Sequence, residues 1–134
     1  MKHVFPKLFA GAVLALLLSA CAGLGVNAPP EEIVAKRAQA WADAAKDGDY
    51  KTAYTYTSPN YRKFRPAGAY HANVGGASIW KSATVSRVAC EEEGVCQVRL
   101  LVEYPLTQAD VYVKTRRDQK WLEIDGKWWL YVAP

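Results

Sequence analysis

Cys90-Glu91-Glu92-Glu93-Gly94-Val95-Cys96 is the stretch from which the architecture follows. Runs rich in β-branched residues flank it, residues 79–90 before and 95–104 after, and both read as strands. A three-residue hairpin loop needs one residue in the left-handed conformation, which glycine adopts without cost, so Glu92-Glu93-Gly94 predicts the turn. That loop sets Glu91 opposite Val95 and Cys90 opposite Cys96. It continues as Val88 with Val98, Ser86 with Leu100, Thr84 with Val102 and Ser82 with Tyr104. One face then gathers Val88, Val98, Leu100, Val102, Tyr104 and both cysteines, while Arg87, Gln97, Arg99 and Glu103 take the other. A slip of one residue would scatter both sets, so the pattern itself specifies register. Directly opposed cysteines on one face lie at bridging distance, which predicts a Cys90–Cys96 disulfide. The three adjacent glutamates would raise a thiol pKa, which argues for a structural rather than a redox role.

Downstream, Pro105 ends the second strand. Residues 110–124 read as a third, long enough to predict a bend or bulge near Arg117-Asp118. Asp125-Gly126 is a two-residue hairpin signal. Its register pairs Ile124 with Lys127, Glu123 with Trp128, Leu122 with Trp129 and Trp121 with Leu130. The last strand, residues 127–132, is apolar on both faces, so it is either covered twice or exposes a binding surface. Adjacent strand residues point to opposite faces, so Trp128 and Trp129 cannot share a layer.

Upstream, the periodicity changes from two to 3.6. Pro29-Pro30-Glu31-Glu32 starts a helix to about residue 46, with proline in the first turn and two carboxylates at the positive end of the dipole. Val34, Ala38, Trp41 and Ala45 make its apolar stripe. Gly48 ends it and Asp49 caps a second helix, residues 50–57. Ser58-Pro59 starts a short third one, and residues 67–73, holding Tyr70 and His71, form a fourth.

At the N-terminus a basic head with Lys2 and Lys7 precedes the apolar run of residues 8–18, which is short of the ~20 residues that span a bilayer. Head, apolar run and small residues make a secretory signal. Leu18-Ser19-Ala20-Cys21 resembles the lipobox of bacterial lipoproteins, whose cysteine becomes the lipidated first residue. The resemblance implies a signal peptide over residues 1–20, a lipidated Cys21 with a tether over residues 21–29, and a single domain over residues 30–134. In those lipoproteins an aspartate after the cysteine commonly marks retention in the inner membrane. Ala22 stands there, which implies the outer membrane, with the domain facing the periplasm. That oxidising compartment suits the disulfide.

Helices followed by long antiparallel strands, with Ala40-Trp41, Asp47-Gly48-Asp49-Tyr50, Ser58-Pro59-Asn60-Tyr61-Arg62 and Trp121-Leu122-Glu123-Ile124-Asp125-Gly126-Lys127-Trp128-Trp129, resemble the nuclear transport factor 2-like superfamily. The resemblance covers residues 31–133. It implies an α+β fold in which N-terminal helices pack on a curved antiparallel sheet, forming a cone with an open mouth. Members of that superfamily serve as isomerases, dehydratases, ligand binders and docking domains, so the fold does not choose among functions.

Charge excludes one class. The chain has 17 Lys and Arg against 13 Asp and Glu. Removing Lys2 and Lys7 with the signal leaves a net charge near +2, too little to predict nucleic-acid binding. His71 is the one histidine of the mature chain, and no metal-ligand spacing, nucleophile elbow, phosphate loop or triad is present. We therefore expect no catalytic residue, metal or cofactor. Aromatic residues are in surplus, and Tyr54, Tyr104, Trp128 and Trp129 are the candidate binding residues for a partner envelope protein or a small apolar ligand. The alternatives are a small isomerase or hydrolase of the same fold, which requires His71 beside an acidic side chain across a concave pocket, and a self-associating structural component of the envelope. Lipidation at Cys21 has a direct consequence: Cys21→Ser moves the chain from the membrane to the soluble fraction on cell fractionation while its circular dichroism stays that of a folded domain.

Overall fold

The structure, a computed structural model, describes residues 28–106 and 110–134. The expected signal peptide, Cys21 and most of the tether lie outside the described residues. Four helices come first: α1 (Pro30–Lys46), α2 (Tyr50–Thr55), α3 (Pro59–Phe64) and α4 (Ala67–Val74). A 3-10 turn (Gly75–Ile79) leads into strands β1 (Ser82–Glu92), β2 (Val95–Pro105), β3 (Tyr112–Ile124) and β4 (Lys127–Leu130). The strands form one antiparallel sheet in chain order. The fold is thus α+β, with helices packed against an antiparallel sheet. None of the described helices is long and apolar enough to cross a membrane.

Local signals account for the helix ends. Gly48, at φ 75°, closes α1 by donating to the Ala45 carbonyl while Asp49 N donates to Ala44 O at 2.9 Å, a Schellman closure. Asp49 then caps α2 by accepting from Thr52 N at 3.1 Å, and Ser58 Oγ caps α3 by accepting from Tyr61 N at 3.2 Å. Val34, Ala38, Trp41, Ala42 and Ala45 are the buried face of α1.

The β3–β4 hairpin has the predicted register at all four pairs, from Trp121 with Leu130 to Ile124 with Lys127. Asp125 at φ 53° and Gly126 at φ 73° provide the two left-handed residues of the matching turn. The first hairpin departs from expectation in two places. Glu92, not Glu91, pairs with Val95, so the turn is Glu93-Gly94, and a bulge between Ala89 and Glu92 absorbs the extra residue. A second irregularity lies between Val85 and Arg87. Val88 still faces Val98, but beyond Ser86 the partners are Val85 with Leu100, Ala83 with Val102 and Ser82 with Glu103. This shift turns Ala83 and Val85 towards the core, where serine and threonine would otherwise stand.

The bulge expected near Arg117-Asp118 is not there: β3 pairs with β2 without interruption from Leu122 to Tyr112. Two central strands of matched length lose hydrogen bonds to any bulge between them, so the distortion falls on the edge strand β1. β1 also begins at Ser82 rather than residue 79, because residues 75–79 are wound into the 3-10 turn, and β4 stops at Leu130.

The expected disulfide is present between Cys90 and Cys96, with Cα atoms 4.1 Å apart. Cys96 is fully buried. Closing so short a loop removes unfolded-state freedom worth about 2 kcal/mol. Cys90→Ser combined with Cys96→Ser, or reduction of the native protein, lowers the thermal midpoint by about 10 °C in a melt followed by circular dichroism.

Candidate functional site

Aromatic side chains fill the space between helices and sheet. Trp41 of α1 donates its indole N–H to the Tyr70 hydroxyl at 2.6 Å. Trp80 meets Trp41 edge-on at 6.4 Å, and Tyr54 and Tyr61 lie 5.6 and 6.2 Å from the Tyr70 ring. Trp121, fully buried on β3, takes an edge contact with Tyr56. Burial pushes the Tyr70 hydroxyl up to about 12, with its Trp41 hydrogen bond opposing the shift. Much of the aromatic surplus is therefore packing inside the domain.

The four candidate binding residues do not form one site. Tyr54 is half-buried and donates its hydroxyl to the Arg65 carbonyl at 2.6 Å, holding the α3–α4 connection. Tyr104 sits far along β2 opposite Val113, whereas Trp129 lies opposite Leu122, which pairs with Val95 at the other end of that strand. Nine residues of strand separate the two positions, about 30 Å. Trp128 is buried in the core. Trp129 is half-buried on the opposite face of β4 and is the residue around which charged groups collect.

That collection is built by three elements. Arg37 of α1 places its guanidinium 5.5 Å from the Trp129 ring centre and 5.0 Å from that of Tyr56. Arg62 of α3 lies 5.1 Å from the Trp129 ring centre. Backbone carbonyls position both cations. Arg37 Nε donates to Trp128 O at 2.8 Å, and Arg62 Nη1 donates to Thr55 O at 2.8 Å and to Thr57 O. Partial burial lowers the Arg37 pKa from its ordinary value, an effect that the neighbouring Tyr56 opposes, yet an arginine remains charged. α3 ends on Phe64, which is 76% exposed. Arg37, Arg62 and Tyr56 were not among the sequence candidates. Arg62 follows the Ser58-Pro59 helix start, but nothing local shows that cations from two helices meet at one indole of a strand.

The solvent-facing side of the sheet carries two open grooves. One, of about 400 Å³, is bordered by Arg87, Glu91, Glu92, Gln97, Arg99 and Asp118. The Arg99–Asp118 pair, at 2.9 Å, lies on its border, and Arg99 holds the Asp118 carboxyl below the usual carboxylate range. The other, of about 290 Å³, lies between Thr84, Leu101, Glu103 and Lys114. His71, the residue an isomerase or hydrolase would use, is exposed and stacked on Tyr50 with ring centres 4.1 Å apart. It belongs to no ion pair among the described residues. Nor do the described residues bring three or more His, Cys, Asp or Glu side chains together as metal ligands would be.

No family model and no curated protein matches the sequence. Solved structures do. The chain is similar to a SEC-C motif-containing protein from Psychrobacter arcticus at 12% identity, with a TM-score of 0.59, over 78% of this chain and 62% of that one. It thus spans less than two thirds of that protein's length. It is also similar to a candidate nuclear transport factor 2-like transpeptidase from Campylobacter jejuni at 14% identity, with a TM-score of 0.53, over 73% of this chain and 96% of that one. At these identities the likeness is one of fold, and it accords with the α+β arrangement of helices on an antiparallel sheet.

The Trp41–Tyr70 bond can be tested by mutation and by pH. Tyr70→Phe leaves the buried indole N–H without an acceptor and lowers stability by about 1–3 kcal/mol in urea unfolding at pH 7. A hydroxyl pKa raised from 10.0 to about 12 makes the native state hold its proton more tightly than the unfolded chain does. The stabilisation is complete below pH 10 and is lost as pH rises towards 12, by roughly 2–3 kcal/mol. The difference between wild type and Tyr70→Phe therefore closes or reverses over that interval.

Proposed function

We propose that this chain is a lipoprotein tethered to the outer membrane, facing the periplasm, whose domain is a non-catalytic binding module for a partner protein. The lipobox-like Leu18-Ser19-Ala20-Cys21 and the Cys90–Cys96 disulfide, suited to an oxidising compartment, support the location. One observation carries the binding reading. The interior is packed with aromatic side chains, while Trp129 stands at the surface between two arginines. Tryptophan and arginine are the residue types that dominate protein–protein interface energetics. The groove beside the Arg99–Asp118 pair is bordered by Arg87, Glu91, Glu92 and Gln97 as well, which favours a protein over a small apolar ligand there. An isomerase or hydrolase draws less support, because His71 stacks on a tyrosine rather than facing an acid.

Affinity capture from detergent-solubilised envelopes tests this reading. The wild-type chain retains a partner that Trp129→Ala retains about tenfold less well, at equal thermal stability. Undiminished capture by Trp129→Ala would place the docking surface elsewhere.

A further inference from the structure

We infer that Arg37, Arg62, Trp129 and Tyr56 form a receptor for a carboxylate on an acidic segment of the partner. This rests on the binding-module reading and adds the chemistry of what is bound.

Charge comes first. Two guanidinium groups approach one indole, at 5.5 and 5.1 Å, and neither is in an ion pair among the described residues. The ion pairs of the described residues lie elsewhere, at Lys36–Glu32, Lys46–Asp47, Lys81–Glu103 and Arg99–Asp118. Two positive charges beside one indole raise the local positive potential, and that potential draws an anion.

Donor accounting points the same way. A guanidinium has five N–H donors and no acceptor. Arg37 gives Nε to Trp128 O, and Arg62 gives Nη1 to Thr55 O and Thr57 O. Both Nη groups of Arg37 and the Nε and Nη2 of Arg62 make no hydrogen bond among the described residues. The bonds already made hold the two side chains in place, so a ligand meets cations whose rotamer entropy is largely spent. A planar pair of N–H groups matches the two oxygens of a carboxylate.

The backbone narrows the binding mode. β4 is a sheet edge, yet Arg37 occupies Trp128 O and Tyr56 O accepts from Leu130 N at 2.8 Å. A peptide therefore cannot extend the sheet at Trp128 or Leu130, and side chains must do the reading. A lipid surface fits less well, since anionic headgroups are held by clusters of about four to eight basic residues, whereas here two cations lie against aromatic rings.

The test uses the full chain, labelled with fluorotryptophan, in phosphatidylcholine nanodiscs, with the Trp129 resonance assigned through Trp129→Phe. Titration with a hexaglutamate peptide shifts that fluorine resonance saturably, and a hexalysine peptide does not. Arg62→Lys keeps the charge but loses the fork, and it weakens the peptide by about tenfold, as does Arg37→Gln. The Trp121 and Trp128 resonances report whether each variant remains folded, and if Arg37→Gln disturbs them, Arg62→Lys decides. Absence of a saturable shift, or equal affinity in folded Arg62→Lys, overturns the inference. A Trp129 shift on passing to phosphatidylglycerol nanodiscs without peptide overturns it in favour of a lipid surface. If the peptide fails while Trp129-dependent capture of a partner persists, the acidic chemistry is wrong and the binding module stands; loss of that capture as well removes both.

Discussion

Helix α1 holds both edges of the sheet, and the rest of the domain depends on that grip. On one side, the Gln39 side-chain amide donates to Ala83 O and accepts from Val85 N, both at 2.9 Å, so that it takes the place of a neighbouring strand along β1. On the other, Arg37 donates to Trp128 O of β4. Two residues of one helix can reach opposite edges of a four-stranded sheet only if the sheet curls around that helix. Each bond contributes on the order of 1 kcal/mol. Their larger effect is to close edges that would otherwise recruit another strand.

The curl explains where the irregularities fall. The central pair, β2 and β3, is in unbroken register and carries Cys96, Val98, Leu100, Val102 and Trp121 into the core. The edge strand β1 takes the bulges, one beside the Gln39 contact and one at the disulfide-linked turn. A bulge there bends the strand toward α1 without costing the central ladder its bonds. The Tyr56-Thr57 connection completes the opposite side, where Thr57 bridges Leu130 and its own side chain is fully buried with its hydroxyl donating to Tyr54 O. This connection brings α3, and with it Arg62, beside Trp129.

A cone-shaped fold invites the assumption that function lies inside the cone. Here Trp41, Tyr61, Tyr70 and Trp80 occupy the interior, and the Trp41–Tyr70 hydrogen bond satisfies a polar group that burial would otherwise penalise. Arg37, which seals the β4 edge at Trp128 O, is also one of the two arginines beside Trp129. Edge protection and half of a cationic surface cluster thus come from the same side chain.

The sequence by itself determined the elements and most of their ends, because the signals are local. A capping serine or aspartate, a glycine at positive φ, and alternation of apolar residues act over a few positions. Asp125-Gly126 therefore specified the register of β3 and β4 at every pair, and Cys90 and Cys96 could be matched across their turn. Tertiary structure decided what involves distant elements. The shift at Ser86 exchanges one acceptable local pairing for another, and the choice depends on whether Ala83 and Val85 or serine and threonine meet the core beneath α1. The candidate site is non-local in the same way. Arg37 and Trp128 lie 91 residues apart in the chain, and only the curl of the sheet around α1 brings Arg37, Arg62 and Trp129 together.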